Sequence, residues 1–168
     1  MAWTRPVALL LGLSLLPLAA GAALPTSCAD AAYKQFDYWL GNWNVATADG
    51  KLVGRDRVEK AYGGCVIQEH WTSVDGGTGG SFTIYDFTRK LWHQTWVDST
   101  GTLLVLEGGL KDSHMLLTGD NTLPGGKRAM NRMSWTPVGG KLRQLWEVST
   151  DSGKTWKVVF DVYYTRGN

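Results

Sequence analysis

At 168 residues, with 17 basic against 15 acidic side chains and a formal charge of +2, the chain has the size of a single domain. So even a balance implies neither nucleic acid nor an anionic membrane surface as a partner. Nine tryptophans are the outlying feature, and aromatic side chains in that number must fill a core, line a cavity, or both.

Residues 1–22 have the three parts of a secretory signal: Arg5 near the start, the apolar run 7–18, and the small triplet Ala20-Gly21-Ala22. Cleavage is expected after Ala22, leaving one domain over 23–168 with 16 basic and 15 acidic side chains, a charge of +1. The run is shorter than the roughly 20 apolar residues of a membrane helix, and no later stretch approaches that length, so no membrane span is expected. The expected location is periplasmic or extracellular. Lipid attachment at Cys28 is disfavoured, because the leucine that signal wants three places back stands four back, at Leu24. In an oxidising compartment Cys28 and Cys65 are expected to form a disulfide, contributing roughly 4 kcal/mol at most through loop entropy. Two buried free thiols are the alternative.

The next segment, 29–40, is the one helical candidate, too short to stand alone and suited to plugging one end of a larger structure. From Gly41 onward the pattern is short alternating segments: 42–47, 52–60, 65–74, 80–87, 91–98, 103–110, 114–119, 128–137, 142–149 and 155–166. The links carry Asp, Gly, Ser and Thr, as in Asp75-Gly76-Gly77 and Gly139-Gly140, which is tight-hairpin chemistry. Sequential neighbours then pair antiparallel, and a long meander best removes its edges by closing. The expected fold is an all-β, up-and-down barrel of about ten strands with a short N-terminal helical plug. A two-sheet sandwich is the runner-up, but its crossovers need longer links.

Alternation assigns the faces. In 65–71 the set Cys65, Ile67, Glu69, Trp71 is the more apolar and points in, taking Glu69 with it. In 91–98 Trp92, Gln94 and Trp96 point in; in 142–149 Leu142, Gln144 and Trp146 do; Ser81, Thr83 and Tyr85 are further inward groups. Polar groups inside a barrel cost roughly 1 to 3 kcal/mol each if unpaired, so they must bond each other, water or a ligand. Ten strands leave more room than eight.

The stretch Ser149 to Trp156 matches S-x-D-x-G-x-T-W, an Asp-box hairpin, and a single copy is a turn rather than a sign of glycosidase chemistry. His70, His93 and His114 are isolated, the first two on outward faces, and no Cys or His pair has ligand spacing, so no metal or other cofactor is expected. Nucleophile-elbow, Walker and H-E-x-x-H motifs are missing from the sequence, and Gly76 to Gly80 reads as a flexible hairpin. Glu69 in an apolar interior would have a raised pKa and suit acid or base work, with Glu107 and Glu147 as weaker candidates; no pair of carboxylates can be placed on one site, and no catalytic residue is assigned.

Gly41-Asn42-Trp43 at the first strand, after a helical turn, resembles the opening of lipocalins and their calycin relatives. That resemblance implies that Trp43 closes one barrel end against an arginine near the last strand, and Arg166 is the matching position. More closely, FDYWLGNW, GGCVIQEHW, YDF, WHQTWVDSTG and SxDxGxTW, in this order over nearly the whole chain after the leader, are similar to a family of exported bacterial lipocalin-like domains of unknown function. The resemblance implies a fold and no activity. The count of ten strands departs from the eight of true lipocalins and is closer to fatty-acid-binding proteins or nitrobindins, and nitrobindin-like haem binding would need an inward histidine that none of the three supplies.

The leading expectation is therefore an exported barrel that binds a small, partly apolar molecule in its interior. Trp71, Tyr85, Trp96 and Trp146 would form the walls, and Glu69, Gln94 and Gln144 the polar anchors. The alternatives are a small-molecule enzyme using Glu69 as acid or base, and a structural or interaction module of the cell envelope.

Overall fold

The structure, a computed structural model, describes residues 28–167 together with Met1; the expected leader and its cleavage point lie outside the described residues. The ten strands are β1 (Gly41–Ala46), β2 (Leu52–Ala61), β3 (Val66–Ser73), β4 (Thr78–Asp86), β5 (Leu91–Asp98), β6 (Leu103–Lys111), β7 (His114–Thr122), β8 (Arg128–Val138), β9 (Lys141–Ser149) and β10 (Lys157–Arg166). Each pairs antiparallel with its sequence neighbours, and β10 closes on β1, with Trp43 opposite Arg166 and Ala46 opposite Tyr163. This is the closed meander that short, turn-rich links dictate.

Two expected boundaries move for local reasons. β4 begins at Thr78, so Gly79 and Gly80 belong to the ladder, opposite Trp71 and His70, and are not part of a flexible hairpin. β10 begins at Lys157, because Thr155 is held in the preceding turn, donating its backbone N–H to Asp151 Oδ1 (2.9 Å) and its hydroxyl to Oδ2 (2.6 Å). That turn is the Asp box acting as a folding unit, with Trp156 Nε1 donating to Gly153 O.

The helical candidate 29–40 is broken: α1 spans only Ala31–Lys34, and a single 3₁₀ turn follows at Asp37–Trp39. Phe36, at φ −113° and ψ 12°, leaves the helical region between them. Phe36 and Trp39, three residues apart across the break, share one face; both enter the barrel and are fully buried. Phe36 stacks on Trp39 at 4.9 Å and meets Trp135 edge-on at 5.1 Å.

Hydrogen bonds then fasten this plug to the wall. Trp92 Nε1 donates to Gln35 Oε1 (3.0 Å), Trp43 Nε1 to Trp39 O (2.7 Å), and Lys60 Nζ to Tyr33 O (2.9 Å). The Arg166 guanidinium lies 3.9 Å over the Trp43 ring and donates to Leu40 O (2.6 Å). Gly41 sits between them at φ 136°, and a Cβ there would run into the guanidinium. Cys28 and Cys65 are joined as a disulfide that ties the start of the plug to the β2–β3 connection. One end of the barrel is thereby filled and sealed, and the free volume lies in the other half.

Candidate ligand cavity

Inward alternation brings one residue class from each strand to a common interior. Above the plug, Leu106, Met115, Leu117, Trp135 and Val162 pack the middle. Beyond them, toward the end away from the plug, lies a cavity of about 170 Å³. Its walls are Trp71 on β3, Trp96 on β5, Leu104 on β6, Met133 on β8, Trp146 on β9 and Phe160 on β10; its polar lining is Glu69, Gln94, Gln144 and Tyr164, with Asp98 at the rim. Thus Glu69, Trp71, Gln94, Trp96, Gln144 and Trp146 come together around one space. Tyr85 does not join them. It points inward but lies at the plugged end, edge-on to Tyr33 at 5.4 Å and tilted against Trp92 at 5.9 Å, because it stands at the opposite end of β4 from Gly79.

The aromatic walls are held in place. Trp71 and Phe160 meet edge to face at 6.0 Å. Trp96 Nε1 donates to Asp98 Oδ2 (3.2 Å), and Trp146 Nε1 to Asn131 Oδ1 (3.0 Å), whose own amide donates to Asn121 Oδ1. The Trp96 ring occupies the space beside Gly79, where a Cβ would approach its ring carbons at 2.5 Å. A glycine on the neighbouring strand is the condition for a tryptophan of this size to lie there.

The floor is a polar network. Ser81 Oγ donates to Glu69 Oε2 (2.6 Å), Gln94 Nε2 to Thr83 Oγ1 (3.0 Å) and more weakly to Ser81 Oγ (3.4 Å), and Tyr164 OH to Gln144 Oε1 (2.5 Å). Among the described residues Gln144 Nε2 finds only the Met133 thioether, at 2.9 Å, a weak acceptor. Behind the floor stands Asp56, 2% exposed, with neither carboxyl oxygen hydrogen-bonded among the described residues. Burial, and then the charge of Glu69, push the Asp56 carboxyl up to about 9. Burial raises Glu69 to about 7 against the pull of the Ser81 hydrogen bond. Tyr164 is driven well above its usual value by burial and by the charges of Asp56 and Glu69. Asp56 is therefore protonated at neutral pH, and the pair carries at most one charge.

Sequence reasoning missed Asp56, yet a signal was there. Arg55, Arg57 and Glu59 are charged and alternate along β2, so they must face water, which forces Gly54, Asp56 and Val58 inward. Phe160 and Tyr164 follow the same rule on β10, where a shift in pairing between Val158 and Phe160 obscures the alternation.

The remaining candidates lie outside. Glu107 accepts from Arg89 Nη1 (2.8 Å) and contacts His93 Nδ1 (3.0 Å), and Glu147 forms a two-point pair with Arg132 (2.6 and 3.0 Å), both on the outer wall. His70 faces Glu59 at 3.3 Å. Among the described residues no three His, Cys, Asp or Glu side chains gather as a metal site, and no helix is long and apolar enough to cross a membrane. No protein-family model and no curated protein matches the chain. The cavity presents aromatic rings on its sides and, at its floor, a carboxyl that burial raises to about 7.

Proposed function

We propose that this protein binds a small, partly apolar molecule inside the barrel, with Trp71, Trp96, Trp146 and Phe160 as walls and Glu69, Gln94 and Gln144 as polar anchors. The observation that carries this reading is the cavity of about 170 Å³, enclosed by aromatic side chains over a polar floor. An apolar cavity of about 150 Å³ is enough to hold benzene, so the space suits a single ring or a short chain, with any longer part of the molecule leaving through the unplugged end. The test is tryptophan-emission titration against a panel of single-ring and short-chain compounds, beside native mass spectrometry of protein purified from its own host. Saturable quenching lost in Trp96→Ala supports the reading; no ligand in either experiment ends it.

Asp56 beside Glu69 favours a second reading, in which Glu69 acts as acid or base on the bound molecule. A carboxyl raised to about 7 is poised for proton transfer at neutral pH. Glu69→Gln should abolish turnover of an identified substrate, and undiminished turnover would exclude Glu69. Export and membership of the lipocalin-like family belong to the same proposal. What supports export is the leader-like sequence of residues 1–22 together with a disulfide, which persists in oxidising compartments; what supports the family is the ordered motif set on a ten-stranded barrel.

A further inference from the structure

We propose that the cavity selects a small protonated amine, its ammonium head on Glu69 at the floor and its apolar body between Trp71, Trp96, Trp146 and Phe160. This rests on the ligand-binding reading above and names the class of ligand.

The charge of the lining points one way. Its ionisable carboxylates are Glu69 and Asp98, and it includes no Lys, Arg or His. Asp98 is ionised at the rim: burial works against the charge, but hydrogen bonds from Thr100, Thr102 and Trp96 hold its carboxyl at about 2. A carboxylate or phosphate ligand would enter a negative space with no cation to meet it.

The hydrogen-bond balance of the floor points the same way. Its hydroxyls and the Gln94 amide are committed, Ser81 to Glu69, Gln94 to Thr83 and Tyr164 to Gln144, and the Gln144 amide rests on the Met133 thioether. Glu69 Oε1 accepts no hydrogen bond among the described residues, and Asp56 behind it is held protonated by burial and adds no charge. What the floor lacks is a charged donor for Glu69 Oε1. A hydrocarbon would leave that oxygen unpaired and an alcohol would bring one donor and no charge, whereas an ammonium brings up to three donors and the opposite charge. The walls add to the preference, since the faces of indole and phenyl rings attract cations.

The groups packed around Glu69 set the proton balance. They are Asp56 from β2, Ser81 from β4, Gln94 from β5 and Tyr164 from β10, with Asp98 at the rim, and none can carry positive charge. An arriving ammonium therefore draws Glu69 into its carboxylate form, and its proton leaves to solvent.

The experiment is isothermal calorimetry at pH 7 with benzylamine, benzyl alcohol, toluene and benzoate, repeated in two buffers of different ionisation heat. Benzylamine should bind about tenfold or more tighter than benzyl alcohol, with benzoate undetectable, and its binding should release protons. Glu69→Gln should lower benzylamine affinity by about tenfold, while Glu107→Gln on the outer wall leaves it unchanged. Should Glu69→Gln fail to fold, proton release by the native protein still decides. Toluene or benzyl alcohol binding as tightly as benzylamine, with no proton release, overturns amine selection and leaves the apolar cavity standing. Failure of all four compounds to bind overturns both.

Discussion

Asp56 and Glu69 are acids that the native barrel holds in or near their protonated form. Their carboxyls sit at about 9 and about 7 in the fold, against roughly 4 in an unfolded chain, so over that range the native state binds protons that the unfolded state has lost. The stabilisation is fully present below about pH 4 and drains away as pH rises through about 7 and then about 9. Asp98 and Asp151 run the other way. The first is held at about 2 despite burial by its Thr100, Thr102 and Trp96 hydrogen bonds, the second at about 2 by Thr155 and Ser149, so their contribution is lost as pH falls from about 4 toward 2. The melting temperature is therefore expected to peak near pH 4 to 5 and to fall steadily toward pH 9. Asp56→Asn removes the buried acid while keeping its shape. It should flatten the alkaline limb and stabilise the protein at pH 9 by about 1 to 3 kcal/mol, several degrees in melting temperature. Thermal melts of both proteins from pH 3 to 10 provide the check, and superimposable profiles would refute the assignment.

Among the elements, the plug and β4 carry the sharpest expectations. The plug is stapled at its start by a disulfide closing a separation of 37 residues, which loop entropy values at roughly 4 kcal/mol. Replacing both cysteines by serine should lower the unfolding free energy by about 2 to 4 kcal/mol in urea titrations and leave far-ultraviolet spectra of the barrel intact. β4 reaches past its expected start because Gly79 must pair in the ladder while yielding space to Trp96. Gly79→Ala drives a methyl group into that ring, so an overpacking cost of about 1 to 3 kcal/mol is expected, together with a shifted tryptophan emission as Trp96 moves. An unchanged melting temperature and spectrum would show that Trp96 is free to give way. The residues 29–40 read as one helix from composition alone. The break at Phe36 was not legible there, and the aromatic partners that surround Phe36, Trp92 and Trp135, lie far along the chain.

At the scale of the molecule, the barrel is filled in one half and hollow in the other, and the hollow half forgoes packing that a solid core would have. The ligand proposed above would restore it. At a concentration one hundred times its dissociation constant, a bound molecule should raise stability by about 2.7 kcal/mol, seen as a concentration-dependent rise in melting temperature. Closure of the sheet depends on β1 meeting β10, where Arg166 covers Trp43. Arg166→Ala should cost about 0.5 to 2 kcal/mol without opening the barrel. By itself the sequence determined the all-β class, the number of strands, their order and the faces of β3, β5 and β9, because turn residues and a two-residue period act locally. It also marked Glu69, Gln94 and Gln144 as interior groups. Only the tertiary structure decided that Tyr85 belongs to the plugged end while Phe160 and Tyr164 line the cavity, and that Asp56 stands behind Glu69. Alternation says which way a side chain points but not how far along the barrel axis it lies. Height depends on the stagger of ten strands around a closed ring, which no local stretch of sequence contains.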